Sequence, residues 1–263
     1  MLDKRQYVYK KTAEGDLSLY ATFPQGWGKD DRRPAVLFFF GGGWAQGTVE
    51  HFAGQAAYLA GRGMVAICAD YRVKSRHNVR PDKCVEDAKS AVRWVRSSYA
   101  RLGLDPERLV ASGGSAGGHI AACAGVITGF DAPGDGLDIS SVPNAMVLFN
   151  PVLDVPLDRP GILDRFGSIE LAKALSPNRF VRPGLPPTLV SHGEADATVP
   201  FSQAQRFCDL MHGAGNRAEL YAAPEQPHGF FNHSPWYERT LYRMDEFLRT
   251  LDYVQGDPTI VLP

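Results

Sequence analysis

Two rhythms of apolar residues run through this chain. Leu17, Leu19, Ala21 and Phe23 alternate with Asp16, Ser18, Tyr20 and Thr22. That two-residue period marks a strand with one buried face and predicts an edge strand. Residues 6–10 are placed to pair with it, with Glu14-Gly15 at the turn. Residues 34–40 are instead unbroken apolar sequence, Pro-Ala-Val-Leu-Phe-Phe-Phe, as a strand covered on both faces requires. Residues 64–69, 109–112, 145–149 and 188–191 repeat that pattern. Residues 217–222 form a weaker match and predict a strand nearer an edge. Between these runs the period lengthens. Val85, Ala88, Val92, Val95 and Tyr99 mark one face of a helix over 82–101, and Phe52, Ala56, Leu59 and Ala60 mark another. Residues 116–129, 201–215 and 236–251 complete the helices, the last with Leu241, Met244, Leu248 and Leu251 on one stripe.

Strands alternating with helices predict an α/β fold, a mostly parallel sheet with helices on both faces. No linker or internal repeat divides the chain, which reads as one domain over 1–263. Residues 151–186 interrupt the alternation with one short helix near 168–175, an insert expected to overhang the functional end of the sheet.

Composition narrows the partners. A formal net charge of −1 without a basic tract excludes the electrostatic footprint of a nucleic-acid or anionic-membrane binder. No apolar run is long enough to span a bilayer. The start, Met1-Leu2-Asp3-Lys4-Arg5, lacks the apolar core of a secretory signal, so the expected compartment is the cytoplasm unless a signal has been removed. Cys68, Cys84, Cys123 and Cys208 are scattered, with neither a C-x-x-C pair nor metal-ligand spacing. No metal or organic cofactor is expected.

The chemistry concentrates at Gly113-Gly114-Ser115-Ala116-Gly117, a G-x-S-x-G between an apolar run and a small-residue helix. Such a strand-to-helix turn lifts a serine hydroxyl out of a sheet, and its tightness demands small flanking residues. A serine needs a base, and the base needs an orienting group. Both lie downstream in the order Ser, acid, His. Asp196, in the loop after residues 188–191, is the preferred acid over Glu194, because its short side chain sits deeper, before Val199-Pro200. His228, between Pro227 and Gly229, is the preferred base; His233 is its nearest rival. His51, His77, His119 and His212 read as structural or solvated, and His192 as a support for the acid loop. Gly41-Gly42-Gly43-Trp44 follows residues 34–40 directly and supplies exposed backbone N–H groups for an oxyanion.

These residues resemble the α/β-hydrolase superfamily and, within it, the hormone-sensitive-lipase-like esterases. The likeness covers roughly residues 35–251. It rests on Phe40-Gly41-Gly42-Gly43-Trp44, Ala69-Asp70-Tyr71-Arg72, Asp105-Pro106-Glu107-Arg108, residues 113–118, residues 193–200 and Pro227-His228-Gly229-Phe230. The resemblance implies Ser115 as nucleophile, His228 as base, Asp196 as its partner, and Gly42, Gly43 and Ala116 as oxyanion donors. Two departures stand out. Phe40 replaces the histidine usual before the three glycines, removing a supporting hydrogen bond, and only about thirty residues precede the first buried strand, leaving no room for a helical cap. The closer likeness is therefore to open, carbohydrate-esterase-like members, similar to acetyl-xylan and feruloyl esterases. Peptidases sharing this catalytic domain carry a propeller for which the chain has no room. The expected substrates are short acyl or hydroxycinnamoyl esters of carbohydrates; a general short-chain carboxylesterase, an amidase resembling kynurenine formamidase and a non-catalytic binding protein are the alternatives. Of the aromatics that could line the site (Trp44, Phe130, Phe166, Phe180, Phe231 and Trp236), Trp44 and Phe231 are the substrate-binding candidates.

Overall fold

The computed structural model describes residues 2–263, and the strands among them join in one eight-stranded sheet. The strands are β1 (Asp3–Thr12), β2 (Gly15–Phe23), β3 (Arg33–Phe39), β4 (Val65–Ala69), β5 (Leu104–Gly114), β6 (Ala145–Phe149), β7 (Thr188–Gly193) and β8 (Ala218–Ala223). Their spatial order is β1-β2-β4-β3-β5-β6-β7-β8. The six strands from β3 to β8 are parallel, and the β1–β2 hairpin joins antiparallel through β2 to β4. The two-residue period of β2 therefore belongs to the second strand. β1 is the edge, and β8 is the edge at the far side, as its weaker apolar pattern predicts.

The parallel strands are buried on both faces because helices cover both. These are α1 (Ala53–Gly61), α2 (Lys74–His77), α3 (Pro81–Ser97), α4 (Tyr99–Leu102), α5 (Ala116–Val126), α6 (Pro160–Phe166), α7 (Ile169–Ala174), α8 (Ser202–Gly213) and α9 (Trp236–Arg249). Alternate residues of β3 separate the two cores. Ala35, Leu37 and Phe39 pack with side chains of α3, α5 and α8, while Val36 and Phe38 pack with α1 and α9. The helix expected over 82–101 is two, because the chain turns at Ser98, and Gly103 in left-handed backbone then ends α4. The insert carries α6 as well as the expected short helix; Gly167 separates α6 from α7.

All the motifs converge at the carboxyl ends of the parallel strands, where an open α/β sheet presents ligand-binding loops. The glycine loop leaves β3, the elbow leaves β5, the acid loop leaves β7, and the loop bearing His228 leaves β8. The segment after residue 252 folds back onto its own chain. The Arg62 guanidinium donates to Gly256 O (2.9 Å), and Thr259 N–H donates to Tyr58 Oη (3.1 Å).

Candidate active site

Ser115 sits at the hinge between β5 and α5 with φ 54° and ψ −118°, a backbone region in which side chains are strained. The strain is held from both sides. Ser115 N–H donates to Phe149 O (2.9 Å), and His119 N–H donates to Ser115 O (2.9 Å). The elbow also needs bare backbone at Gly117, where a Cβ would lie 2.1 Å from Phe39 O. No side chain fits that approach, which is what brings the start of α5 against β3.

The hydroxyl points at a histidine. His228 Nε2 lies 2.9 Å from Ser115 Oγ, and His228 Nδ1 lies 2.7 Å from Asp196 Oδ2. A carboxylate only accepts, so Nδ1 carries the ring hydrogen, and Nε2 of the neutral ring accepts the serine proton. Asp196 is fully engaged. Its Oδ1 accepts from Thr198 N–H (2.9 Å) and Val199 N–H (2.8 Å), and His192 Nε2 stands 3.2 Å from Oδ2. Burial pushes its pKa up, but the hydrogen bonds from His192, His228 and Val199 prevail and hold it well below the ordinary carboxylate range. Glu194 and His233, the alternatives in the sequence, are both exposed.

Of the expected oxyanion donors, Gly42 and Gly43 border the same hollow as Ser115, and Ala116 follows it directly in the chain. Gly42 has φ 127°, and a Cβ there would lie 2.1 Å from Gln46 O, so the loop turns only through glycine. Among the described residues neither Gly42 N–H nor Gly43 N–H donates to protein, and Ala116 N–H belongs to the first turn of α5, which lacks an intrahelical acceptor. Gly41 N–H is spent on His51 Nδ1 (3.0 Å), and His51 Nε2 in turn donates to Asn232 Oδ1 (3.0 Å). The support missing at Phe40 comes from Tyr71: its hydroxyl donates to Phe40 O (2.7 Å) and its ring stacks on Phe40 with centroids 4.1 Å apart.

Two hollows meet at Ser115. One, of about 60 Å³, is lined by Trp44, Val152, Pro156, Ile162, Arg165 and Val199 among others. The other is wider, about 320 Å³, and holds His228, Asn150, His51 and Asn232. Trp44 walls the smaller hollow, but its Nε1–H is committed to His119 Nδ1 (3.0 Å). Phe231 borders the wider hollow, but it is 1% exposed and stacks on Phe149 and Phe52, so most of its ring is packed in the core. Phe130, Phe166, Phe180 and Trp236 line neither hollow.

Sequence reasoning missed several supporting residues. Asn150 Oδ1 accepts from Gly229 N–H (3.0 Å) and ties the end of β6 to the His228 loop. His51 joins the glycine loop to Asn232. His119 is wholly buried, with Nδ1 on Trp44 and Nε2 donating to Leu175 O (2.7 Å); burial lowers its pKa to about 4. An asparagine closing a buried strand was a signal within reach for Asn150; His51 offered none, because its partner lies 181 residues away.

A family model described as BD-FAE matches residues 23–152, and the prolyl oligopeptidase family matches residues 168–253. The solved structure of esterase 2 from Thermogutta terrifontis superimposes with a TM-score of 0.92 at 48% identity, over 97% of each chain. The chain belongs to the serine esterases of the α/β-hydrolase superfamily. Esterase LipQ of Mycobacterium tuberculosis is 32% identical over 76% of this chain and 51% of its own length. Carboxylesterase NlhH of the same organism is 27% identical over 77% of this chain and 68% of its own. The chain thus spans about half to two thirds of these curated relatives. Like other serine esterases of the superfamily, it is a carboxylic ester hydrolase by kinship.

Proposed function

We propose that this esterase hydrolyses esters of short acyl chains through an acyl-enzyme on Ser115. His228 Nε2 takes the proton as Oγ attacks the carbonyl carbon. The carbonyl oxygen, now an anion, is met by the N–H groups of Gly42, Gly43 and Ala116. The tetrahedral adduct collapses, the C–O bond to the alcohol breaks, and the alcohol departs with the proton from His228 Nε2. Water then attacks the acyl-enzyme, gives its proton to the same nitrogen, and releases the acid and Ser115. Asp196 holds the imidazole in its working tautomer and stabilises its charged form.

The size of the hollow that takes the acyl group carries the short-chain reading. A leaving alcohol must receive its proton from His228, so it lies in the wide hollow, and the acyl group takes the other one. At about 60 Å³ this hollow has less than a fifth of the volume of the other, which suits a short acyl chain. A hydroxycinnamoyl ring exceeds it, whereas a bulky alcohol such as a sugar meets an open side of about 320 Å³. The Thermogutta esterase, solved with propionate bound and with butyrate bound, fits the same reading. Nitrophenyl acetate, butyrate and octanoate test it. The expected kcat/KM falls at least about tenfold from butyrate to octanoate, and Ser115→Ala loses about three orders of magnitude or more on all of them. Rates that rise toward octanoate would overturn the short-chain reading; near-native turnover by Ser115→Ala would overturn the mechanism.

A further inference from the structure

Residues 157–166 help wall the smaller hollow at Ser115 and are tied by two arginines to the loops on either side. Arg159 donates to Thr198 O (2.7 Å) and Ala197 O (3.4 Å) on the acid loop. Arg165, on α6, donates through Nη1 to Gly43 O (2.8 Å) on the glycine loop. The two ties differ in what lies beneath them. The Arg165 side chain is part of the wall of the acyl hollow.

That hollow has an unbalanced lining. Trp44, Val152, Pro156, Ile162 and Val199 are apolar. No carboxylate among the described residues comes within 4.0 Å of the Arg165 guanidinium. Asp158 and Asp164, on the same segment, are exposed to solvent. One N–H of Arg165 meets Gly43 O, and its other donors meet no protein acceptor among the described residues. Gln203, in the same wall, accepts with Oε1 from Leu153 N–H (3.0 Å) and Asp154 N–H (3.0 Å). Its amide orientation is fixed by those two donors, so Nε2–H₂ is left over. The unspent polar side chains of this small, mostly apolar hollow are therefore a cation, an amide donor and the Thr198 hydroxyl, which can donate as well. Their complement is an anion with acceptor oxygens.

Resting on the esterase reading, we propose that Arg165 and Gln203 select acyl groups ending in a carboxylate, so that half-esters of short dicarboxylic acids are preferred over neutral acyl chains of equal length. The ester carbonyl is held at Ser115, and the distal carboxylate meets the planar fork of Arg165. Arginine suits this role better than lysine because its fork can grip both carboxylate oxygens while one N–H stays on Gly43 O.

Monoethyl succinate and ethyl butyrate share an alcohol and a four-carbon acyl chain, and their hydrolysis is followed by acid release at constant pH. The wild-type enzyme is expected to favour the succinate in kcat/KM by at least about tenfold, chiefly through KM, and to lose part of that preference in 0.5 M salt, on the order of severalfold. Arg165→Met is expected to erase the preference, Arg165→Lys to keep part of it, and Arg165→Glu to reverse it. Equal turnover of both esters by the wild type would overturn the proposal. So would an Arg165→Met variant that loses the same factor on both, since the arginine would then only fasten α6 to the glycine loop. Butyrate turnover reports separately on the parent reading: folded enzyme that hydrolyses neither ester overturns both.

Discussion

A single buried imidazole links the oxyanion loop to the insert. His119 accepts from Trp44 Nε1–H and donates to Leu175 O, so a proton on Nδ1 would face another N–H. Burial keeps its pKa near 4, below the ordinary 6.5. The unfolded chain therefore binds a proton between those values while the folded chain does not. The stability His119 contributes is present above about 6.5 and is lost as the pH falls toward 4, by about 1.4 kcal/mol per pH unit and on the order of 3 kcal/mol in all. Urea denaturation at pH 7 and pH 4.5 should show this slope, and His119→Gln should flatten it even though the variant starts from lower stability. Little of this was legible beforehand. The run Ala116-Gly117-Gly118-His119-Ile120-Ala121-Ala122-Cys123 is buried on every side, so periodicity could not show that the histidine faces inward toward protein rather than out to water. Asp196 and His228 could be singled out because each lies in a loop that follows a strand, although Glu194 and His233 competed with them; His192 could be read as a support for the acid loop, but not that its ring reaches the Asp196 carboxylate itself.

At the scale of elements, the elbow shows how packing dictates a sequence motif. α5 approaches β3 so closely that its second residue must be Gly117, whose missing Cβ would meet Phe39 O at 2.1 Å and Phe40 O at 2.4 Å. Gly117→Ala cannot relieve this by a rotamer change, since both obstacles are backbone. We expect it to cost about 3 kcal/mol or more, read as a shift in the urea midpoint with an unchanged slope, or to prevent soluble expression. The strand ladder itself was readable from apolar runs, because a strand buried on both faces has no polar position to hide. The boundaries failed where a turn is set by something other than hydrophobicity. β5 begins at Leu104 rather than Leu109, because Leu104 pairs with Arg33 and residues 105–108 bulge out before the ladder resumes at Leu109 opposite Ala35. α6 escaped notice because a seven-residue helix with Gly161 near its start carries no full apolar stripe.

At the scale of the molecule, the functional loops and the closing segment lie apart. Arg62 pairs with Asp245 (2.7 Å) between α1 and α9 and reaches Gly256 O, and Ile260 packs on the core of that face. None of these groups borders either hollow at Ser115. Removing residues 255–263 should therefore lower the melting temperature by a few degrees, about 2–4 °C for each kcal/mol lost in a domain of this size, and leave kcat/KM on nitrophenyl butyrate within about twofold. Calorimetry together with that assay checks both halves. The asymmetry of the two hollows reaches further. The hollow vacated by a departing alcohol has about 320 Å³, room for other small hydroxyl compounds as well as for water. In mixed solvents the acylated serine is thus expected to pass part of its cargo to an added small alcohol, which new ester formed beside free acid would register.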